Sequence, residues 1–289
     1  MFNKKSKSET YYPTVFAVGD EYQIMLPVKG ESLMWVQVGE ECYYDESNGI
    51  LRSKTGIHRM CVPMQELDRA GEYTIYERKV INRTAYCPAI AKPCSKTFKF
   101  KPVPQENPKA YHIADAHNEE QRPIAAALAY GDIDFLILNG DIPNHSGTVK
   151  NFGTIFRLCS DITKGEIPVV FARGNHDMRG KCAESIAMYT PSYNGNTYYT
   201  FRIGGIWGMV LDTGEDKDDG HIEYGGTVCC HAFRKRETRF IEKVIANADN
   251  EYNAEGVTHR LIIAHNPFTC VLKPPFNIER RFSHIGQGL

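Results

Sequence analysis

Two hydrophobic periods divide this chain near residue 105. Before that point, short apolar runs alternate with polar residues at roughly the spacing of an all-β domain. TVFAVGDEYQIMLPV (14–28) holds two such runs around a Gly-Asp turn, and SLMWVQVGEECYYD (32–45) is rich in aromatic and β-branched residues. IHRMCVPM (57–64), GEYTIYERKV (71–80) and KTFKFKPV (96–103) continue the series with no long helical pattern between them. The pattern predicts a small all-β sandwich over 1–105. KPVPQENPK (101–109) then places three prolines in nine residues, a stiff boundary.

After the prolines the period changes. AYHIADAH (110–117), IDFLILNGD (133–141), IPVVFARGNHD (167–177) and HRLIIAHNPF (259–268) read as apolar strands with polar ends. Between them, NEEQRPIAAALAY (118–130), TVKNFGTIFRLCSDITKG (148–165) and FRKRETRFIEKVIANADN (233–250) have helical periodicity, the first opened by Asn118 as a cap and the second closed by Gly165. NTYYTFRIGG (196–205) and IWGMVLDTG (206–214) read as a strand pair. Near-continuous apolar strands alternating with helices predict an α/β domain over 106–289, a layered sheet with helices on both faces.

Composition narrows the setting. The formal net charge of -1 gives no reason to expect nucleic acid or an anionic membrane as partner. No segment has the length of an apolar membrane span, and the basic start of the chain lacks the apolar core of a secretory signal. The nine cysteines form no C-x-x-C pair and read as reduced thiols, so a cytoplasmic setting is expected. Of ten histidines, only His58 precedes residue 105, which places the chemistry in the second part.

In open α/β sheets the working crevice lies beyond the carboxyl ends of the strands. Four strands here end in one vocabulary: Asp115-Ala116-His117, Gly140-Asp141, Gly174-Asn175-His176-Asp177 and Ala264-His265-Asn266. Singly, a D-x-H or a Gly-Asp after a strand is commonplace. Jointly they converge carboxylates, an amide and imidazoles on one rim, a donor set that suits divalent Mn, Fe or Zn. A carboxylate shared between two ions supports hydrolysis at phosphorus.

D-x-H, GD, GNH[D/E] and a late apolar strand ending in His resemble the calcineurin-like metallophosphoesterase superfamily, over roughly residues 109 to 289. A preceding sandwich, fibronectin-III-like, is similar to the arrangement of purple acid phosphatases. The resemblance implies two divalent metal ions. Asp115 and His117 would hold the first, Asp141 would bridge, and Asn175 and His265 would hold the second. His176 would stand beside the phosphate, and a metal-bound hydroxide would attack a phosphomonoester. The implied partner is a small phosphorylated substrate, with a homodimer left open.

The sequence departs from the superfamily twice. Asn144 stands where an Asp, or the Tyr of purple enzymes, orients the catalytic histidine. Its amide is assigned that task, and the missing Tyr argues against a coloured ferric site. The closing G-H-x-H motif is absent, and His284 lies in a different frame, so the chain reads as C-terminally incomplete. The rival expectations are a phosphodiesterase, or a catalytically incomplete binding protein that keeps the fold. The acidic stretch 215–219, with His221 and Glu223, reads as a solvated loop, with a wall of the substrate mouth as the lesser alternative.

Overall fold

The computed structural model describes residues 11–86 and 88–267. Cys87, Cys270, His284 and the basic start of the chain lie outside them.

The first part of the chain makes ten strands: β1 (Thr14–Val18), β2 (Glu21–Pro27), β3 (Ser32–Val38), β4 (Glu41–Tyr44), the short pair β5 (Glu46–Ser47) and β6 (Ile50–Leu51), β7 (Ile57–Pro63), β8 (Glu72–Asn82), β9 (Ala89–Ile90) and β10 (Cys94–Lys99). Among the described residues one short helix, α1 (Met64–Ala70), interrupts them and buries Met64 and Leu67. The second part supplies β11 (Ala110–Ile113), α2 (Gln121–Tyr130), β12 (Phe135–Asn139), α3 (Gly153–Thr163), β13 (Pro168–Ala172), β14 (Tyr199–Ile203), β15 (Ile206–Leu211), α4 (Cys230–Ala246) and β16 (His259–Ala264).

Residue 105 marks a change of period, but the sheet runs across it. The largest sheet has the order β11-β12-β13-β1-β2-β7, so three strands from each part share one layer. The reason lies in β1. All five of its residues are buried, and it pairs antiparallel with β2 on one edge and parallel with β13 on the other. A fully apolar strand left as an edge would expose a row of unpaired backbone groups beside a greasy surface. The second sheet, β10-β8-β3-β4, packs over β7 and shares its core: Met34, Val36 and Ile75 bury with Ile24, Met60 and Val62. The sandwich therefore has one layer continuous with the α/β sheet.

The third sheet, β14-β15-β16, stacks on β1 and β13. Alternation along β15 fixes its two faces. Ile206 and Val210 join the main core, while Trp207, Met209 and Leu211 form a second core with Ile241 and Val244 of α4. Helices α2 and α3 pair with each other, and α3 packs on β1 and β12. The layers thus run helix, sheet, sheet, helix. Among the described residues no helix is long and apolar enough to cross a membrane.

One predicted helix start moves. Asn118 does not cap α2, which begins at Gln121. Asn118 sits in the left-handed region with φ 66°, and its Oδ1 accepts from the Asn144 N–H instead. Glu119 serves the helix, its Oε1 accepting from the N–H groups of Gln121 and Arg122.

Candidate metal centre

Register delivers the polar strand ends to one edge. Strands β11, β12 and β13 run parallel, with Ile113 beside Leu138 and Leu138 beside Phe171. Asp115, Asp141 and the Asn175-His176 pair follow within a few residues of these positions. Strand β16 is parallel to β15 in the stacked sheet. The Asn139 side-chain amide donates to the Ala264 carbonyl at 3.2 Å, joining the two sheets where His265 leaves β16.

The chain turns sharply to make this rim. Asp115, His117, Asn118 and Asp141 all have φ between 45° and 66°. For residues with a Cβ this region costs about 1–3 kcal/mol each and persists where surrounding structure enforces it. The enforcement is visible. The Asp115 N–H donates to the Gly140 carbonyl at 3.1 Å, and that of His117 to the Asp141 carbonyl at 3.0 Å. The Asp141 N–H donates to Asp177 Oδ2, and its Oδ1 accepts from the His176 N–H at 2.8 Å.

Two groups of donors result, each with its ligand atoms within 4.8 Å of one another: His117, Asp141 and His176, and Asp115, Asp141 and His265. Asp141 Oδ2 lies 3.9 Å from both His117 Nε2 and His176 Nε2, and 3.3 Å from His265 Nε2. His117 Nε2 also lies 3.7 Å from Asp115 Oδ1. Asp141 is therefore common to both groups. His176, assigned from sequence to the phosphate rather than to a metal, sits among the donors. Asn175 is buried between Gly174 and His176.

The donor set fits a divalent cation. His265 Nδ1 donates to the Asn139 carbonyl at 2.8 Å, which leaves Nε2 facing a carboxylate oxygen. Two lone pairs so opposed need positive charge between them. Without a metal the charge is a proton. Burial lowers the His265 pKa, but Asp141 and the Asn139 carbonyl outweigh it and push it up to about 9. Burial likewise works to raise the Asp141 carboxyl, yet His265 and the His176 N–H hold it below its ordinary value.

Asn144 acts through a different atom from the one assigned. His176 Nδ1 donates to the Asn144 backbone carbonyl at 2.8 Å, so the orienting bond belongs to the main chain and not to the side-chain amide. His145 turns back on its own loop, its Nδ1 accepting from the Gly147 N–H. The acidic loop is tied to the site: Arg179 pairs with Glu215, Asp216 and Glu223 and reaches His176 Nε2 at 3.1 Å. Neither Arg179 nor Asp177 carries a role assigned from sequence, although Asp177 closes the Gly-Asn-His-Asp motif and Arg179 follows it by two residues.

Asp177 is fully buried and accepts from the N–H groups of Gly174 at 2.6 Å and Asp141 at 3.1 Å. Burial, with the Asp141 charge adding to it, raises its carboxyl from 3.8 to about 7. A carboxyl raised on folding lends stability that is complete below its unfolded value and is lost as pH rises through its folded value. Asp177→Asn keeps an acceptor oxygen for both N–H groups and removes that titration. With both proteins chelator-treated, we expect the parent to lose stability between about pH 4 and 7 and the variant to lose much less, a difference of a few kcal/mol in order of magnitude. Parallel profiles for the two proteins would rule this out.

The sequence model of the calcineurin-like phosphoesterase family matches residues 108–284, more than half of the chain. Among solved structures, a purple acid phosphatase from yellow lupin (Lupinus luteus) seeds is similar in fold, with a TM-score of 0.59 and 15% identity. The match covers 96% of this chain and 56% of the lupin chain. Its extent places the β-rich first part within the shared fold as well. No curated protein matches the chain.

Proposed function

The chain belongs to the calcineurin-like phosphoesterase family, and from that premise we propose that it is a metal-dependent phosphoesterase that hydrolyses small phosphomonoesters at a binuclear centre. The observation that carries this is Asp141, a nearly buried carboxylate common to two donor groups at one sheet edge.

Asp115, His117, Asp141, Asn175 and His265 are the residues that would hold the two ions, with His176 close enough to contribute. Divalent cations there supply Lewis-acid polarisation of the phosphoryl group and acidify water for attack on phosphorus. The chain's own part is placement. The Asn139 carbonyl aims His265 Nε2 at Asp141, and the Asn144 carbonyl aims His176 Nε2 at the same carboxylate. His176 is partly exposed, so its ring borders the space a phosphoryl group would enter. From there it steadies the transferred group, or passes a proton to the leaving oxygen once Nε2, which accepts from Arg179 here, has taken one up.

The test is reconstitution with manganese, followed by elemental analysis and assays on p-nitrophenyl phosphate and bis(p-nitrophenyl) phosphate. Two ions per chain and preference for the monoester are expected. One ion or none, with neither ester hydrolysed, would leave the family assignment and remove the enzyme.

A further inference from the structure

Arg179 is held from several sides near the rim. Its Nε donates to Glu215 Oε1 at 3.1 Å and its Nη2 to Glu215 Oε2 at 3.0 Å, a two-point clasp. Nη2 also reaches Asp216 Oδ1 at 3.3 Å. Nη1 is shared between Glu223 Oε1 at 3.2 Å and His176 Nε2 at 3.1 Å. Four of the five N–H donors of the guanidinium are spent on hydrogen bonds to Glu215, Asp216 and His176, and Glu223 adds an ion pair. Three carboxylates surround and neutralise the charge. Arg179 is thus poorly equipped to bind substrate and well equipped to hold a neighbour.

The clasp is itself anchored. Glu215 is fully buried and accepts a further bond from the Tyr224 hydroxyl at 2.7 Å. Arg234 of α4, also fully buried, donates to the Thr213 carbonyl at 2.7 Å and to the Glu215 carbonyl, and the Glu215 N–H points at the sulfur of Cys230. A rigid helix therefore fixes the loop, the loop fixes Glu215, and Glu215 fixes the guanidinium.

We propose that Arg179 is a positioning residue for His176, holding Nε2 of its ring at the reacting edge with Glu215 and helix α4 as anchor. A guanidinium only donates, so Nε2 accepts; the Asn144 carbonyl only accepts, so Nδ1 carries the proton. The imidazole is gripped at both nitrogens in one tautomer. The side chain at position 144 has no part in this grip, and Arg179 takes up the orienting task from the opposite side of the ring. The effect on turnover presupposes the phosphoesterase chemistry proposed for the rim; the grip on the ring does not.

Arg179→Met should lower kcat for p-nitrophenyl phosphate by about 10- to 100-fold, the usual cost of losing a supporting partner, with KM and manganese content little changed. Arg179→Lys and Glu215→Gln should fall between it and the parent. Arg179 lines a cavity of about 510 Å³, so millimolar guanidinium in the assay should enter and restore part of the kcat of Arg179→Met. Independently, nitrogen-15 spectra of the histidine rings, with His176→Gln to assign the signal, should show one tautomer in the parent and a mixture in Arg179→Met. Unchanged kcat, or a loss that follows metal loss and is not rescued, would overturn the role. If the parent itself hydrolyses neither ester, the phosphoesterase reading fails, and the ring spectrum alone decides: an identical tautomer signal in Arg179→Met overturns the positioning.

Discussion

Asp141→Asn is expected to strip the chain of bound metal and to lower ester hydrolysis by on the order of 10³-fold or more, with the fold retained. Among the described residues Asp141 is the one carboxylate that belongs to both donor groups. Its Oδ2 faces the Nε2 atoms of His117, His176 and His265 at 3.9, 3.9 and 3.3 Å. An asparagine that keeps the His176 N–H bond on its oxygen must turn its NH₂ group toward these nitrogens. That group donates where a cation needs an acceptor, and it carries no charge to offset two divalent ions. The backbone is indifferent to the change, because the Asp141 N–H still finds Asp177 and the His176 N–H still finds an oxygen. In the metal-free variant His265 also loses its carboxylate partner, so burial brings its raised pKa back down. Elemental analysis, hydrolysis of p-nitrophenyl phosphate and thermal unfolding check the three parts together. Full metal content with activity close to the parent would place the bridging group elsewhere.

The rim was legible because a periodic strand tells where its polar residues emerge. Once β11, β12 and β13 are read as parallel, their carboxyl ends share an edge and Asp115, Asp141 and His176 must meet there. His265 was harder, since β16 belongs to another sheet, and only the joint motif placed it at the same edge. The pairing of β1 with β13 was not legible. A short apolar strand followed by Gly-Asp looks alike whether its far edge meets a sandwich partner or a strand 153 residues further along the chain. Asn144 shows a different limit: the bond to His176 comes from its main chain, and a sequence does not say which atom of a residue makes a contact. Arg179 was missed for a third reason. An arginine on a loop is by default solvated, and its value here depends on a loop that returns from residues 215–224 with three carboxylates. Asn118 was misread as a cap because the residue that caps a helix and the residue that bends the chain into a left-handed turn have the same preferences.

Gly174→Ala should damage stability and site together, and by more than its single methyl group implies. A Cβ at Gly174 would lie 2.3 Å from Asp141 Oδ1, 2.5 Å from Asp141 N and 3.0 Å from the Gly140 carbonyl carbon. Gly140 faces it with the same need. A Cβ there would meet the Gly174 Cα at 2.8 Å and the His265 ring at 2.5 Å, and its φ of 77° already requires glycine. The two glycines let the exits of β12 and β13 touch, and that touch sets the 2.8 Å bond from the His176 N–H to Asp141. Because most of the opposing atoms are backbone or the Asp141 carboxylate held by the His176 N–H, no rotamer change relieves the clash. The two turns must separate, at about 1–3 kcal/mol or more, seen as a fall of several degrees in Tm. The same separation moves Asp141 against His176 and His265, and a displacement of about 1 Å at a reacting centre costs roughly 100-fold in rate. Gly220→Ala is the matched control, since a Cβ there meets nothing within 4 Å and its backbone is not in the left-handed region. Thermal unfolding and manganese affinity of the two variants, measured side by side, decide the matter. A Gly174→Ala protein as stable and as metal-competent as Gly220→Ala would mean that the close approach of the two turns is not what shapes the site.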